Sequence, residues 1–214
     1  MGATILTTRT RAELVGRSRR LNVATLAYNA LEGIIGVAAG LSAGSVALVG
    51  FGIDSGIELA ASCVALWRLS VDADHERRER AERLSHRIIG ALFIALALYV
   101  AIDGALSLWR GEAPRESRVG ITLAAASVVI MPLLARAKRR VGIALGSRAL
   151  TAESKQTSLC MWLSAILLAG LVLNATLGWW WADPVAALAM VPIIAREGVD
   201  GLRGESACAD GCRD

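Results

Sequence analysis

Asp54 and Glu58 stand four residues apart, a spacing that puts two side chains on one face of a helix. Two carboxylates so placed repel each other unless a proton or a cation sits between them. A second stretch offers a matching face, with Glu153, Gln156 and Cys160 at spacings of three and four. All three can ligate or hydrogen-bond, and Zn²⁺ and its relatives favour four-ligand sites built from such groups. Asn29 and Glu32, three apart, share a face elsewhere and suit either an accessory proton or metal path or a plain structural role. Asp103 is expected to accept a hydrogen bond from a neighbouring helix, since buried carboxylates usually pair. Asp183, just before Pro184, is expected to cap the start of its own helix. There is no Ser/His/Asp set and no H-E-x-x-H, which disfavours a soluble-type hydrolase. The chain also has no G-x-x-x-x-G-K-[ST] phosphate loop, which argues against an ATP-driven pump.

The elements that carry these residues are apolar. Of 214 residues, 55% are hydrophobic and 20% charged, and the mean hydropathy is +0.51. A soluble domain has about 45–50% apolar and about 25% charged residues. A helical span needs ~20 mostly apolar residues, and six such tracts occur: about Leu21 to Leu41, Ser45 to Leu69, Ile88 to Leu108, Val119 to Ala135, Ala149 to Leu177 and Trp181 to Ala195. Only helices satisfy every backbone group in lipid without closing a barrel, and no in/out alternation suggests a barrel. The expected fold is therefore all-α: a basic segment over 1–20, a six-helix transmembrane domain over 21–196, and a short tail over 197–214. The first tract is too long for a cleavable signal and lacks an obvious cleavage site.

Arginines fix the expected orientation. They crowd the amino-terminal segment (Arg9 to Arg20), the link between tracts two and three (Arg77 to Arg87) and the link between tracts four and five (Arg136 to Arg148, with Lys138). The opposite side carries only Arg110, Arg115 and Arg118. The positive-inside rule then puts both termini in the cytoplasm. The cations face lipid headgroups, so no nucleic-acid partner is expected.

Depth can be counted at ~1.5 Å per residue. In a ~30 Å core, Asp54 lies ~14 Å and Glu58 ~20 Å from the outer boundary, with Gln156 ~10 Å and Cys160 ~16 Å from the inner one. Cys160 is then level with Asp54, and Gln156 with Glu58. Two side chains from each of two antiparallel helices would surround one ion near the midplane. The plainer alternative is an interhelical hydrogen-bond cluster, with Cys160 as a small hydrophobe and Lys155 neutralising one acid. An acid at a span's centre costs roughly 2.5–3.5 kcal/mol, which makes it expensive as mere glue.

The run Gly44-Ser45-Val46-Ala47-Leu48, followed by Asp54-Ser55-Gly56-Ile57-Glu58, resembles the second helix of the cation diffusion facilitator family. That family carries Gly-Ser-x-Ala-Leu and then D-S-x-x-D or H-S-x-x-D. Ser147-Arg148-Ala149-Leu150-Thr151-Ala152-Glu153 is similar to the start of its fifth helix, and Trp181-Ala182-Asp183-Pro184 to the start of its sixth. The resemblance implies metal ligands at Asp54, Glu58, Gln156 and Cys160, with Glu153 as a substitute. Gln156 and Cys160 fall where the family has His and Asp, and the thiolate would favour Zn²⁺ or Cd²⁺ over Mn²⁺. Only about 18 residues follow tract six, so the chain resembles a short, membrane-only branch lacking the family's cytoplasmic C-terminal domain.

These features together lead to the expectation of a secondary transporter in the cytoplasmic membrane of a prokaryote. It would export a divalent metal, Zn²⁺ first with Cd²⁺ and Co²⁺ next, in exchange for protons, and the family resemblance implies a homodimer. The alternatives are a non-transporting membrane scaffold or metal sensor, and a proton-coupled transporter of a small organic cation. His75 and His86 lie in or near a charged link that is either an entry funnel for metal or a solvated loop. Cys208 and Cys212 form a tail that either captures soft metals or is a disordered, reduced segment. Gly36, Gly40 and Gly44, and Gly52 with Gly56, are spaced by four as small-xxx-small packing faces.

Overall fold

The computed structural model describes residues 8–70, 75–145 and 148–203, without side chains at 8–12, 61, 64–70, 75–83, 85, 86, 148–153, 155 and 156. Among the described residues there are six helices and no strand: α1 (Thr8–Ala43), α2 (Val46–Ser70), α3 (His75–Arg110), α4 (Arg118–Leu145), α5 (Arg148–Leu177) and α6 (Ala182–Arg203). Each apolar tract lies inside one helix, overrunning it by at most one residue, but most of the helices run further. α1 starts at Thr8 rather than near Leu21, α3 at His75 rather than near Ile88, and α4 continues past Ala135 to Leu145. Hydropathy marks only the part of a helix that suits lipid, whereas Ala, Arg and Glu are good helix formers that carry the same helix onward. His75 and His86 therefore belong to helix α3, not to a loop, and their side chains lie outside the described residues. The tail cysteines Cys208 and Cys212 lie outside them altogether.

Turn chemistry is local and specific. Gly44, Gly111 and Gly178 have φ of 70°, 65° and 65°, a left-handed conformation that glycine adopts at little cost. At Gly44 the Ser45 amide bonds back to the Gly40 carbonyl at 3.0 Å, and at Gly111 the Glu112 amide bonds to Ser107 at 3.1 Å. Both are the six-to-one closure of a Schellman turn. Ser45 and Ser117 then cap the next helices, their hydroxyls accepting from the Leu48 amide at 3.1 Å and the Gly120 amide at 3.0 Å. The Arg115 amide bonds to Ala43 O at 2.8 Å and so holds the α3–α4 connection against the end of α1.

The helices form a closed ring in the order α1, α2, α3, α6, α5, α4, and α2 crosses the interior to touch α5 and α6 as well. Backbones meet where α1 and α2 lack side chains. A Cβ added at Gly52 would sit 2.5 Å from the Val37 amide nitrogen, and one at Gly36 would sit 3.0 Å from the Gly52 Cα. The expected glycine stripes are only partly a packing face, because Gly44 makes a turn and Gly56 opens on empty space.

Many large apolar side chains lie on the surface, and a set of polar groups is buried within the apolar core. Leu31, Ile34, Leu41, Ile102, Val129 and Trp162 are all exposed, while Asn29, Glu32, Asp54, Ser55, Glu58, Ser127, Lys138 and Asp183 are buried. That distribution fits lipid as the surrounding solvent. Four described stretches are long and apolar enough to cross a membrane: Glu13–Ala43, Arg87–Arg110, Arg118–Leu145 and Thr157–Leu177. Among the described residues α2 and α6 are not included; α6 meets Arg196, Glu197 and Asp200 before a full span of apolar sequence is complete. Trp179 stacks on Trp181 with centroids 5.0 Å apart, and Trp109 is exposed, all at the end opposite the arginine-rich one. Such rings sit well at headgroup depth.

The contrast between Gly52 and Gly56 is a test of this packing. Gly52→Val should lower stability by about 1–3 kcal/mol, the usual cost of overpacking. Gly56→Ala should be neutral or stabilising by up to about 1 kcal/mol, because it removes a helix-interior glycine. Thermal unfolding in detergent measures both.

Candidate metal centre

α2 is fixed at its start by a contact between two distant parts of the chain. The Ser45 hydroxyl donates to Asp183 Oδ1 at 2.5 Å, and the Val46 and Ala47 amides lie beside the same carboxylate. Asp183 thus serves the first turn of α2, not the cap of its own helix. It sits one residue inside α6, where Trp181 O accepts the first helical bond. Asp103 also departs from expectation, for its partner is Tyr99, one turn away on the same helix.

From Ser45, α2 delivers Asp54 and then Glu58 to the interior, and α5 delivers Cys160 opposite them. All three are buried, and each offers one ligand atom within 4.8 Å of the other two. Cys160 Sγ lies 4.0 Å from Asp54 Oδ2. Oxygen and sulfur bound to one zinc sit ~2.0–2.3 Å from it, which puts neighbouring ligand atoms ~3.3–3.8 Å apart in a tetrahedron. Shifts on the order of 1 Å or less therefore close the three atoms around an ion. Gln156 lies one turn before Cys160 on α5 and Glu153 lies nearly two, but the side chains of both are outside the described residues, as is that of Lys155.

A surrounding set of polar groups holds the carboxylates. Asn29 Nδ2 on α1 donates to Glu58 Oε2 at 3.1 Å. Lys138 of α4 and Glu197 of α6 lie within electrostatic reach of Glu58. Lys138 counts among the arginine-rich link by sequence, yet it is buried. Glu32 sits three residues from Asn29 and has different partners: Ser55 Oγ donates to its Oε2 at 2.8 Å, and Ser127 Oγ of α4 donates to its Oε1. Tyr28 OH reaches Ser127 Oγ at 2.8 Å. The structure brings Asn29, Glu58, Asp54 and Cys160 into one cluster and sets Glu32 in an adjoining one. Sequence reasoning placed none of Tyr28, Ser127, Lys138 and Glu197 at the site, and used Lys138 only as one of the cations that set orientation. Ser127 is the one that pattern could have flagged, as a rare polar residue in an apolar tract.

A buried acid–acid–thiol cluster inside a lipid-facing bundle is the setting in which relatives are informative. Residues 23–204 match the cation efflux transmembrane domain. The chain belongs to the cation efflux family. A Synechocystis protein described as an uncharacterized transporter is 30% identical over 151 residues, 68% of this chain and 49% of that protein. The cation-efflux pump FieF of Shewanella oneidensis is 27% identical over 177 residues, 79% of this chain and 60% of the relative. The chain thus spans half to three-fifths of the length of these curated relatives. It is an integral membrane helical bundle of the cation efflux type.

The Asn29 amide thus holds the Glu58 carboxylate in place. Should zinc bind at this cluster, Asn29→Leu should weaken that binding roughly 10–100-fold, the usual effect of losing an outer partner of a metal ligand. Titration calorimetry of the detergent-solubilised protein reads this directly, and Asn29→Gln or Asn29→Ser should recover part of the loss.

Proposed function

We propose that this chain exports a divalent transition-metal ion, Zn²⁺ by preference, from the cytoplasm across the cytoplasmic membrane in exchange for protons. The observation that carries this reading is the convergence of Asp54, Glu58 and Cys160 within 4.8 Å at the buried crossing of α2 and α5. One thiolate with two carboxylates favours Zn²⁺ or Cd²⁺, whereas an all-oxygen set would suit Mn²⁺ or Mg²⁺. Three protein donors leave room for a fourth from Gln156 or from water, and a site that must release its ion benefits from an exchangeable position.

Coupling follows from ligand chemistry. A thiol must lose its proton to bind zinc, and a protonated carboxyl is a poor ligand. Metal and protons therefore compete for the same atoms, and lower pH weakens zinc binding. Alternate exposure of the site to the two sides turns that competition into exchange. The helix hairpin α1–α2, joined at Gly44 and packed through Gly36 and Gly52, is a smooth contact along which such a movement meets few side chains.

Zinc uptake into inverted membrane vesicles tests the proposal. An acidic vesicle interior should drive uptake in the wild type, and collapse of the pH gradient should abolish the driven component. Asp54→Ala should reduce the flux to the level of vesicles lacking the protein. Equal flux in Asp54→Ala and wild type would refute the assignment.

A further inference from the structure

Glu32 is a fully buried acid that the metal site does not use. Its two oxygens face two hydroxyls, Ser55 Oγ on α2 and Ser127 Oγ on α4. Each of those hydroxyls also has a second acceptor in reach on its own helix. Ser55 Oγ lies 3.2 Å from Phe51 O, and Ser127 Oγ lies 3.0 Å from Leu123 O. A serine hydroxyl has one proton to donate and lone pairs to accept with. When Glu32 is ionised, both serines donate to it, and Tyr28 OH can donate to Ser127 behind them. When Glu32 is protonated, its new O–H donates to one serine, which turns its own proton to the carbonyl one turn back. Both charge states are hydrogen-bonded without any heavy atom moving. Burial without partners would strongly disfavour one of the two states, so this arrangement suits a group that changes state.

We propose that Glu32, clasped by Ser55 and Ser127, is a proton-binding site separate from the metal ligands and carries a proton that is exchanged for the metal. The inference rests on the reading of the chain as a proton-exchanging metal transporter. The proton enters from water on one side, resides on a Glu32 oxygen, and leaves to water on the other. Glu32 also lies where it can sense the metal site. α1 carries both Glu32 and Asn29, and Asn29 holds Glu58 at 3.1 Å. Ser55 follows the ligand Asp54 directly in α2. Among the described residues, the charged and titratable groups facing this position are Tyr28 on α1, Asp54 and Glu58 on α2, and Cys160 on α5. On α4, Lys138 lies within electrostatic reach of Glu58. Zn²⁺ on two carboxylates and a thiolate leaves the ligand set with a net charge of −1; where the metal displaces fewer than two protons from those ligands, the charge near Glu32 becomes less negative and favours loss of its proton, which is the sign that exchange requires.

The test compares wild type, Glu32→Gln and Ser127→Ala in detergent and in liposomes, with Zn²⁺ as the probe. Glu32→Gln, a shape-matched mimic of the protonated acid, should bind zinc by calorimetry and support zinc-for-zinc exchange, yet lose part of the stimulation that an imposed pH gradient gives the wild type, keeping only the part owed to competition at the metal ligands. Infrared titration should show one carboxyl band, gained by the wild type on acidification, that is missing in Glu32→Gln and appears at a different pH in Ser127→Ala. Full pH-gradient stimulation in Glu32→Gln, or a carboxyl titration identical in all three proteins, overturns the assignment. If Glu32→Gln does not fold, the band position in Ser127→Ala decides, and an unshifted band overturns it. A wild type whose zinc flux ignores the pH gradient would instead defeat proton exchange itself, a result separate from the infrared titration of Glu32.

Discussion

Two acids one helical turn apart, held in a buried interior, are the constraint around which this bundle is arranged. Their ligand atoms lie within 4.8 Å of each other. At an effective dielectric of about 20, two like unit charges at that distance repel by roughly 3 kcal/mol. A divalent cation between them turns that repulsion into two attractions, and a proton on either removes it. The pair therefore cannot sit unchanged in one charge state. A bound proton or cation relieves the repulsion, and the third donor bears on which cation would suit the pair. Cys160 Sγ, 4.0 Å from Asp54 Oδ2, makes the site softer than a carboxylate pair alone.

The rest of the fold keeps α2 in position. The Ser45–Asp183 contact pins its first turn to α6, and the glycine contacts with α1 bring the two backbones together along its length. Asn29 and Glu32 then reach α2 from α1, one at Glu58 and one at Ser55. Polar groups face inward in a chain whose outer surface is apolar, so each buried carboxylate finds protein donors where lipid would offer none.

Much of this was legible in the sequence, for identifiable reasons. Hydropathy alone located six helices, because lipid-facing stretches are long and continuous. The spacing of Asp54 and Glu58 put them on one face, and counting rise per residue set Cys160 level with Asp54. The limits of the helices were not legible, because charged helical extensions such as the start of α3 lose the apolar signal while keeping helical propensity. The partner of Asp183 was hidden too. A cap preference is local, whereas its actual contact, Ser45, lies 138 positions away in sequence. Ser127 stood out as a polar residue in an apolar tract, but its role was hidden, since a serine inside an apolar helix can bond its own backbone, as it does with Leu123 O at 3.0 Å. Rotation of one helix about its axis relative to another is not written in linear spacing, and it decided which side chains met.

The central claim, that Asp54, Glu58 and Cys160 jointly hold the transported metal, is tested most directly by X-ray absorption at the zinc edge. The protein should be zinc-loaded in a Cys63→Ser, Cys208→Ser, Cys212→Ser background, so that one thiol remains. The account predicts one sulfur at ~2.3 Å with the remaining neighbours oxygen or nitrogen at ~2.0–2.2 Å, and loss of the sulfur contribution in Cys160→Ser. Bound zinc with no sulfur neighbour, or a spectrum unchanged by Cys160→Ser, would contradict it.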